Sequence, residues 1–569
     1  MNNIPRPEHP FPQMERDNWM NLNGEWQFEF DFGKSGIDRK VYEQTSLKEK
    51  IVVPFCPESA LSGIEYKDFM PAVWYKRSFL ITPEQVKGRT FLHFGAVDYY
   101  SVIYINGKEV GNHKGGYSSF SFDITAFVNV GENVIVVYAE DDGRSGLQPR
   151  GKQCPTFDSR ACDYTRTTGI WQTVWLEFTP LSYIKNVKYY PNVNDGLLHI
   201  HAQTVGSGLF QATAKYKGKP CGHIEVHTNG DVHATLKLSE LHLWEAGHGR
   251  LYDLEMSFEE DHVTSYFGMR EVLLDGLKFR INNQSVFQRL VLDQGFYLEG
   301  IYTAPTEESL INDIQLSLDM GFNGARLHQK VFEPRFLYHC DKMGYLVWGE
   351  HANWGIDHSK WQAIQSFLPE WMEIVGRDFN HPSIIGWCPF NETWDIAGSA
   401  QINEILQIVY DTTKRIDSTR PCIDTSGNFH VVTDIYDIHD YEQNVEVFQN
   451  HHEAFKIGGE PYENFPNRQA YRGQPYFISE YGGIKWIDET SATNGWGYGE
   501  GPQSEEEFIT RYQGLTSTLL DNPNIFGFCY TQLYDIEQEM NGLYTYERKA
   551  KFNPEIFRKI NSRKAAIEE

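Results

Sequence analysis

The stretch SIIGWCPFNE, Ser383 to Glu392, decides how the chain is read. It looks like a buried strand that closes on an Asn-Glu pair, and an ionised Glu is costly to bury unless it is paired or its pKa moves. Glu392 therefore needs a reason, which depends on what surrounds its strand. From LDGLKFRINNQSVF (274–287) onward, short apolar runs alternate with helical patterns. The candidate strands are FQRLVLDQ, GARLHQ, YLVWGEH, SIIGWCPFNE, PCIDTSG, IYDIHDY, PYFISEYG and IFGFCYTQL, and amphipathic stretches lie between them. In TEESLINDIQLSLDM, Thr306 can cap, Glu307 and Glu308 suit the first turn, and Leu310, Ile311, Ile314 and Leu318 share a face. Eight such strand and helix alternations over residues 275–569 spell a (β/α)8 barrel.

Upstream the period is different. EWQFEFDF, RTFLHFGA, YYSVIYINGKEV, YSSFSFDIT, NVIVVYAED and GIWQTVWLEF alternate like antiparallel strands, and Asn106-Gly107 is a hairpin signal. They place a β-sandwich over residues 1–182; a second β stretch, 183–274, has the length and strand spacing of a small immunoglobulin-like sandwich.

At 569 residues the chain is too long for one core. Its start carries no signal-peptide pattern and no run is long and apolar enough to span a bilayer, so the cytoplasm is the default expectation. Eight scattered Cys without CxxC or CxxH spacing read as reduced, mostly buried thiols. A formal charge of -26 argues against nucleic acid or an anionic membrane and suits a neutral ligand. Aromatics at 14%, many beside Gly, Asn and Asp, are what sugar-binding surfaces use to stack on ring faces, though aromatic-rich β cores explain the composition equally well.

In such a barrel the active site lies at the C-terminal strand ends. The polar residues there are Asp293 and Gln294; Arg326 and His328; Glu350, His351 and Asn353; Asn391 and Glu392; His439, Asp440 and Tyr441; Glu480 and Tyr481; and Tyr530 and Gln532. Glu392 and Glu480 each end an otherwise apolar run, on strands four and seven, which face each other across the mouth. Two facing carboxylates are what glycoside hydrolysis requires, one protonated to donate to the leaving oxygen and one ionised. With Trp387, Phe390 and Trp394 around it, Glu392 is expected to have a raised pKa and to be the acid/base. Glu480, with Tyr481 and Arg326 near, is expected to be the ionised nucleophile. Without an HxH or HExxH pattern, His328, His351, His358 and His439 read as sugar-hydroxyl donors or rim residues, so neither metal nor cofactor is expected. Lys549 and Lys551 read as solvated charges.

The order of sandwich, immunoglobulin-like sandwich and barrel, with RDFNHPSIIGWCPFNE (377–392) and PYFISEYGG (475–483), resembles glycoside hydrolase family 2, the β-galactosidase, β-glucuronidase and β-mannosidase family. The resemblance implies a jelly-roll, sugar-binding-like first domain and a retaining exo-glycosidase acting on an oligosaccharide or glycoside. It assigns Glu392 the acid/base role and Glu480 the nucleophile role, and implies a homo-oligomer. It further implies that Asp163, in DYTRTTGIWQ, reaches the barrel mouth to bind sugar, that Asn391 bonds the 2-hydroxyl, and that Tyr441 and Arg326 contact the nucleophile. Tyr530 would take the place of a Trp floor, and Gln532, Glu537 and Asn541 would lie in the subsite loop. Where glucuronidases carry Asn-x-Lys for the uronate, this chain has Glu539-Met540-Asn541, which disfavours an anionic sugar and points to a β-galactosidase type. β-Glucuronidase, β-galacturonidase, α-L-arabinopyranosidase and β-mannosidase are the alternatives, and a carbohydrate-binding protein without catalysis is the alternative of another class.

Overall fold

A computed structural model describes residues 4–395, 398–487 and 495–568. All eight expected barrel strands are present: Gln288–Asp293, Gly324–Leu327, Leu346–Glu350, Ile384–Cys388 with its extension Phe390–Asn391, Thr425–Ser426, Tyr436–Asp440, Tyr476–Gly482 and Ile525–Thr531. Seven lie in one parallel sheet in the order four, three, two, one, eight, seven, six. The fifth, Thr425–Ser426, pairs with Phe390–Asn391 at the tip of strand four. Both faces of the strands are buried, which explains why they read as continuous apolar runs rather than alternating ones.

Helices follow every strand but the fifth among the described residues. There the link from Gly427 to Ile435 is too short for a crossover helix, which needs about a dozen residues in all. The helix Glu307–Asp319 starts as expected, with the Thr306 side chain accepting from Ser309 N and two glutamates in its first turn. Its buried stripe runs through Leu310, Asp313, Ile314 and Ser317, while Ile311 is exposed, one step around the helix. Pro334–Met343 begins on Pro and stops at Gly344, whose φ of 68° lies in the left-handed region that favours glycine.

The first sandwich packs a four-stranded sheet against a six-stranded one. Trp26, Phe28, Tyr75, Phe94, Ile103, Val137 and Leu176 lie in its core. Asn106 and Gly107, at φ of 51° and 77°, make the expected hairpin turn between Tyr100–Ile105 and Lys108–Lys114. The second sandwich pairs a three-stranded with a four-stranded sheet around Ile200, Phe210, Leu254 and Phe258. We propose residues 182 and 274 as the boundaries between the three units.

Arg16 ties the sandwiches together, donating to Asp261 and Glu177 at 2.8 and 2.9 Å. Arg6 reaches Glu333 on the barrel at 2.6 Å. The loop Asp141–Thr168 of the first sandwich lies over the barrel mouth: Arg150 N and Gly151 N both donate to Trp354 O, at 2.7 and 3.1 Å, and Thr165 N donates to Glu537 at 3.0 Å. No helix among the described residues is long and apolar enough to cross a membrane. All Cys are free, and all but Cys162 are buried.

Candidate active site

Strand four delivers Glu392 through a local break in its geometry. Glu392 has φ of 49°, a left-handed conformation unusual for a non-glycine residue, held by Glu392 N donating to Ser426 O at 3.0 Å and Trp394 N donating to Glu392 O at 2.9 Å. Asn391 beside it is fixed on both backbone groups, its N–H donating to Asn353 Oδ1 at 2.8 Å and its carbonyl accepting from Asn353 Nδ2 at 2.9 Å. Its side-chain oxygen accepts from Arg326 Nη2 at 3.2 Å.

Across the mouth, Glu480 accepts from Tyr441 OH at 2.5 Å and from Arg326 Nη1 at 3.2 Å. Arg326 is itself buried and held by Glu350 at 2.8 Å and the Ser479 carbonyl at 2.7 Å. Glu350 also lies 3.1 Å from His328 Nδ1. Burial, reinforced by Lys152 and Arg326, keeps His328 neutral, although Glu480 pulls the other way. Thus Arg326, His328 and Glu350 form a buried shelf beneath Glu480.

His439 stands between the carboxylates. Its Nδ1 lies 2.7 Å from Glu392 Oε1 and its Nε2 lies 3.4 Å from Glu480 Oε1 and 3.1 Å from Ser426 Oγ. One oxygen of each glutamate and one nitrogen of His439 all fall within 4.8 Å of one another. Burial works against a charged imidazole here, but the charge of Glu480 and the bond to Glu392 override it and raise the His439 pKa. Ser426 in turn donates to Asp437 at 2.6 Å, so both His439 nitrogens have acceptors when the ring is protonated.

The expected high pKa of Glu392 is not what the geometry gives. Burial pushes its carboxyl up, but the bond to His439 and the charges of His439, Lys152 and His328 bring it down to about 2. Two of the three aromatics invoked for desolvation face away: Trp387 donates to Asp417 at 2.8 Å, and Phe390 stacks on Phe367 of the helix Gln362–Asp378. Only Trp394 reaches Glu392, at 3.3 Å. Tyr481 also points outward, its hydroxyl 2.8 Å from Thr516.

Other expected site residues separate into groups. Tyr530 is not in the mouth: its ring packs against Tyr481 and Tyr512 behind the strand. Asp293 is turned into Tyr534, which donates to it at 2.6 Å, and its pKa is pushed up to about 6 by burial and by Asp313. Gln294 donates to Gln532 at 2.6 Å and to Tyr164 at 2.8 Å; Gln532 donates to Asn541 at 2.9 Å, and Asn541 to Glu539 at 2.9 Å. This chain, with Tyr164 donating to the other Glu539 oxygen, fastens the first sandwich to the loop after strand eight. Asp163 carries an ion pair to Arg150 at 3.0 Å. Of the four histidines, His328 and His439 both approach Glu480 Oε1, at 4.0 and 3.4 Å, whereas His351 faces Glu370 at 3.4 Å and His358 lies 2.8 Å from the Trp394 carbonyl. Lys551, read as solvated, is buried against Asp535 at 2.6 Å.

The reading of the sequence missed three residues here. Tyr498, in GWGYG, stacks on Tyr441 with centroids 3.5 Å apart, and burial with the charges of Glu480 and Glu392 holds its phenol protonated. Trp354 donates to the Asn391 carbonyl at 3.2 Å. Lys152, in the same loop as Asp163, sets its charge toward Glu539, Glu392 and Glu480. The nearest sequence signal was that loop, which had already been read as entering the mouth.

Residues 19–180 match the family model described as glycosyl hydrolases family 2, sugar binding domain, and residues 303–514 the one described as its TIM barrel domain. The chain is 27% identical to a β-galactosidase of Thermoanaerobacter pseudethanolicus over 409 residues, 67% of this chain and 52% of that protein. It is 26% identical to a putative β-glucuronidase of Formosa agariphila over 375 residues, 61% of this chain and 44% of that one. The chain thus spans about half the length of these curated relatives. A solved β-glucuronidase from an uncultured Clostridium sp. has the same fold, with a TM-score of 0.81 at 22% identity over 96% of this chain and 99% of that one.

Proposed function

The chain belongs to glycosyl hydrolase family 2, and from that premise we propose that it is an exo-acting retaining β-glycosidase that removes terminal sugars by double displacement. The observation that carries this reading is the pair Glu392 and Glu480, facing each other with their nearest oxygens within 4.8 Å. Such closeness of the nearest oxygens fits direct attack by one carboxylate, for which the groups stand about 5 to 5.5 Å apart, better than the about 6.5 to 9.5 Å of an inverting site.

Glu480 is the nucleophile: Arg326 and Tyr441 orient it and favour its ionised form. Glu392 is the acid/base. At rest its proton is stored on His439 Nδ1, 2.7 Å away, so that the pair rather than the carboxyl alone holds the proton for the leaving oxygen. The sugar 2-hydroxyl falls to Asn391, and Tyr498 and Trp354 offer ring faces.

Two readings of the glycone compete. Glu539, buried beside the site, supports the neutral sugar of a β-galactosidase, the name of one relative. The name β-glucuronidase, carried by another relative and by the solved neighbour, supports a uronide. A panel of nitrophenyl β-galactoside, β-glucuronide, β-galacturonide, β-mannoside and α-L-arabinopyranoside tests the function. Turnover of at least one, abolished by Glu480→Gln, is the expected result; glycan binding without turnover of any would replace the enzyme with a binding protein. A homo-oligomer in the cytoplasm is our proposal for its state and place.

A further inference from the structure

The first sandwich contributes more than a lid. Its loop Asp141–Thr168 carries five cations, Arg144, Arg150, Lys152, Arg160 and Arg166, and Arg150 and Arg166 are committed by hydrogen bonds. Arg150 donates to the Gly151 carbonyl at 3.1 Å and to Asp163 at 3.0 Å. Arg166 donates to the carbonyls of Cys154 and Phe157, at 3.2 and 3.3 Å, and to those of Thr156 and Lys67. Lys152 differs. Its side chain is nearly sealed, the residue being 6% exposed, and its Nζ sits 3.8 Å from the centre of the Trp354 ring. Among the described residues its ammonium makes no hydrogen bond and no ion pair, while Cys162, Glu539, Glu392 and Glu480 act on it through space and raise its pKa against the effect of burial. The ammonium has one face against the indole and no acceptor among the described residues on the other, so its remaining donors are left to solvent or to a ligand, while the surrounding anionic groups hold it charged. A ligand anion entering the mouth would accept from those donors.

Glu539 is no substitute for that anion. Its two oxygens accept from Tyr164 and Asn541, so the carboxyl is committed to the network that ties sandwich to barrel. Its presence at the position read as excluding an acidic sugar does not aim a negative charge at the substrate unopposed, because Lys152 stands beside it.

We infer that Lys152 is a specificity-determining residue that binds an anionic substituent of the sugar ring, a carboxylate or a sulfate ester, so that the preferred glycone is an acidic hexose rather than a neutral one. The inference rests on the proposed glycosidase reading and chooses between its two glycones. The cation comes from the first sandwich rather than from the loop after strand eight, so cleaving or displacing Asp141–Thr168 would remove acid selectivity together with part of the site.

The test uses the full chain and the variants Lys152→Met and Lys152→Arg, with melting curves to show that each is folded. Binding of D-glucuronate, D-galacturonate, galactose 6-sulfate and neutral D-galactose is measured by calorimetry, and kcat/KM is measured on the matching nitrophenyl β-glycosides. The expected result is that the wild type prefers an acidic sugar over its neutral counterpart by about tenfold or more. Lys152→Met should abolish that ratio mainly through KM, and Lys152→Arg should restore most of it. Preference for the sulfate over the carboxylates names the sulfate ester as the ligand. If Lys152→Met instead lowers activity on acidic and neutral sugars alike, or leaves the ratio within threefold, Lys152 is only a counter-charge for Glu392 and Glu480 and the inference falls. Binding of acidic sugars that depends on Lys152, without turnover of any glycoside, would keep the inference and sink the glycosidase reading.

Discussion

Glu392 and Glu480 are the same residue type near the ends of two strands of one barrel, and the fold treats them differently. Glu480 lies inside a strand that continues to Gly482, its pairing shifting locally around Ser479 and Glu480, and it rests on permanent donors, a buried Arg326 and the phenol of Tyr441. Glu392 follows a strand that breaks after Cys388, sits in a left-handed backbone conformation, and has a titratable partner, His439. A carboxylate on fixed donors stays ionised, whereas one on a histidine shares a proton that can be given and taken back. On the proposed reading, chain environment, more than residue identity, separates the nucleophile from the acid/base.

The largest effect that would sharpen this contrast is at Glu480. Glu480→Gln should lower kcat/KM by about 10⁴-fold or more on every glycoside, because no covalent intermediate can form. Next, Glu392→Gln should cost about 10² to 10⁴-fold on sugars with poor leaving groups and much less on dinitrophenyl glycosides, which depart unaided. Equal losses on both kinds of leaving group, measured by steady-state kinetics, would erase the distinction.

A third change addresses the shared proton. Glu392 has a folded pKa lowered to about 2, so its bond to His439 stabilises the protein above the ordinary carboxylate value of about 4.3 and is lost as pH falls toward 2. The His439 pKa is raised, so its contribution is full below the ordinary value of about 6.5 and is lost as pH rises through the folded value. The basic limb of kcat/KM in the wild type should therefore lie above about 6.5. In His439→Gln it should move to lower pH, where Glu392 itself titrates, with a loss of about tenfold at neutral pH. An unmoved limb in the pH profile would show that the histidine does not hold the proton.

The smallest effect on catalysis is expected far from the mouth, where the second sandwich meets the barrel. Asp341 accepts from Tyr266 OH at 2.8 Å and Ser383 N at 2.9 Å and lies 2.6 Å from His381, with no solvent exposure. Asp341→Ala should destabilise by about 2 to 4 kcal/mol through stranded buried donors, read as a lowered melting temperature, while kcat on the best substrate stays within threefold.

The sequence carried the architecture because each unit has its own period: alternation in the sandwiches, apolar runs with amphipathic helices in the barrel. It also carried the carboxylates, since an acidic residue closing an apolar strand stands out, and with them Arg326 and Tyr441. What it could not carry was the direction of side chains past a break in a strand. Trp387, Phe390 and Tyr481 lie close in sequence to the two glutamates but point outward, and Tyr530 shares their fate, so proximity along the chain misjudged the environment of Glu392. His439 was read as a sugar-hydroxyl donor or a rim residue; that it is the partner lowering the Glu392 pKa follows from the register of strand six against strand seven, where His439 pairs with Glu480. Lys152 was invisible for another reason. A single lysine in a loop of the first sandwich acquires meaning only when that loop is laid over the barrel.

The most direct test of the central claim, that Glu392 and Glu480 act as acid/base and nucleophile of a double displacement, is the anomeric configuration of the first sugar released by the wild-type protein. It can be followed by proton NMR before mutarotation equilibrates the product of a β-glycoside. The account predicts that the β-anomer appears first; appearance of the α-anomer first would mean a single displacement by water, which contradicts it.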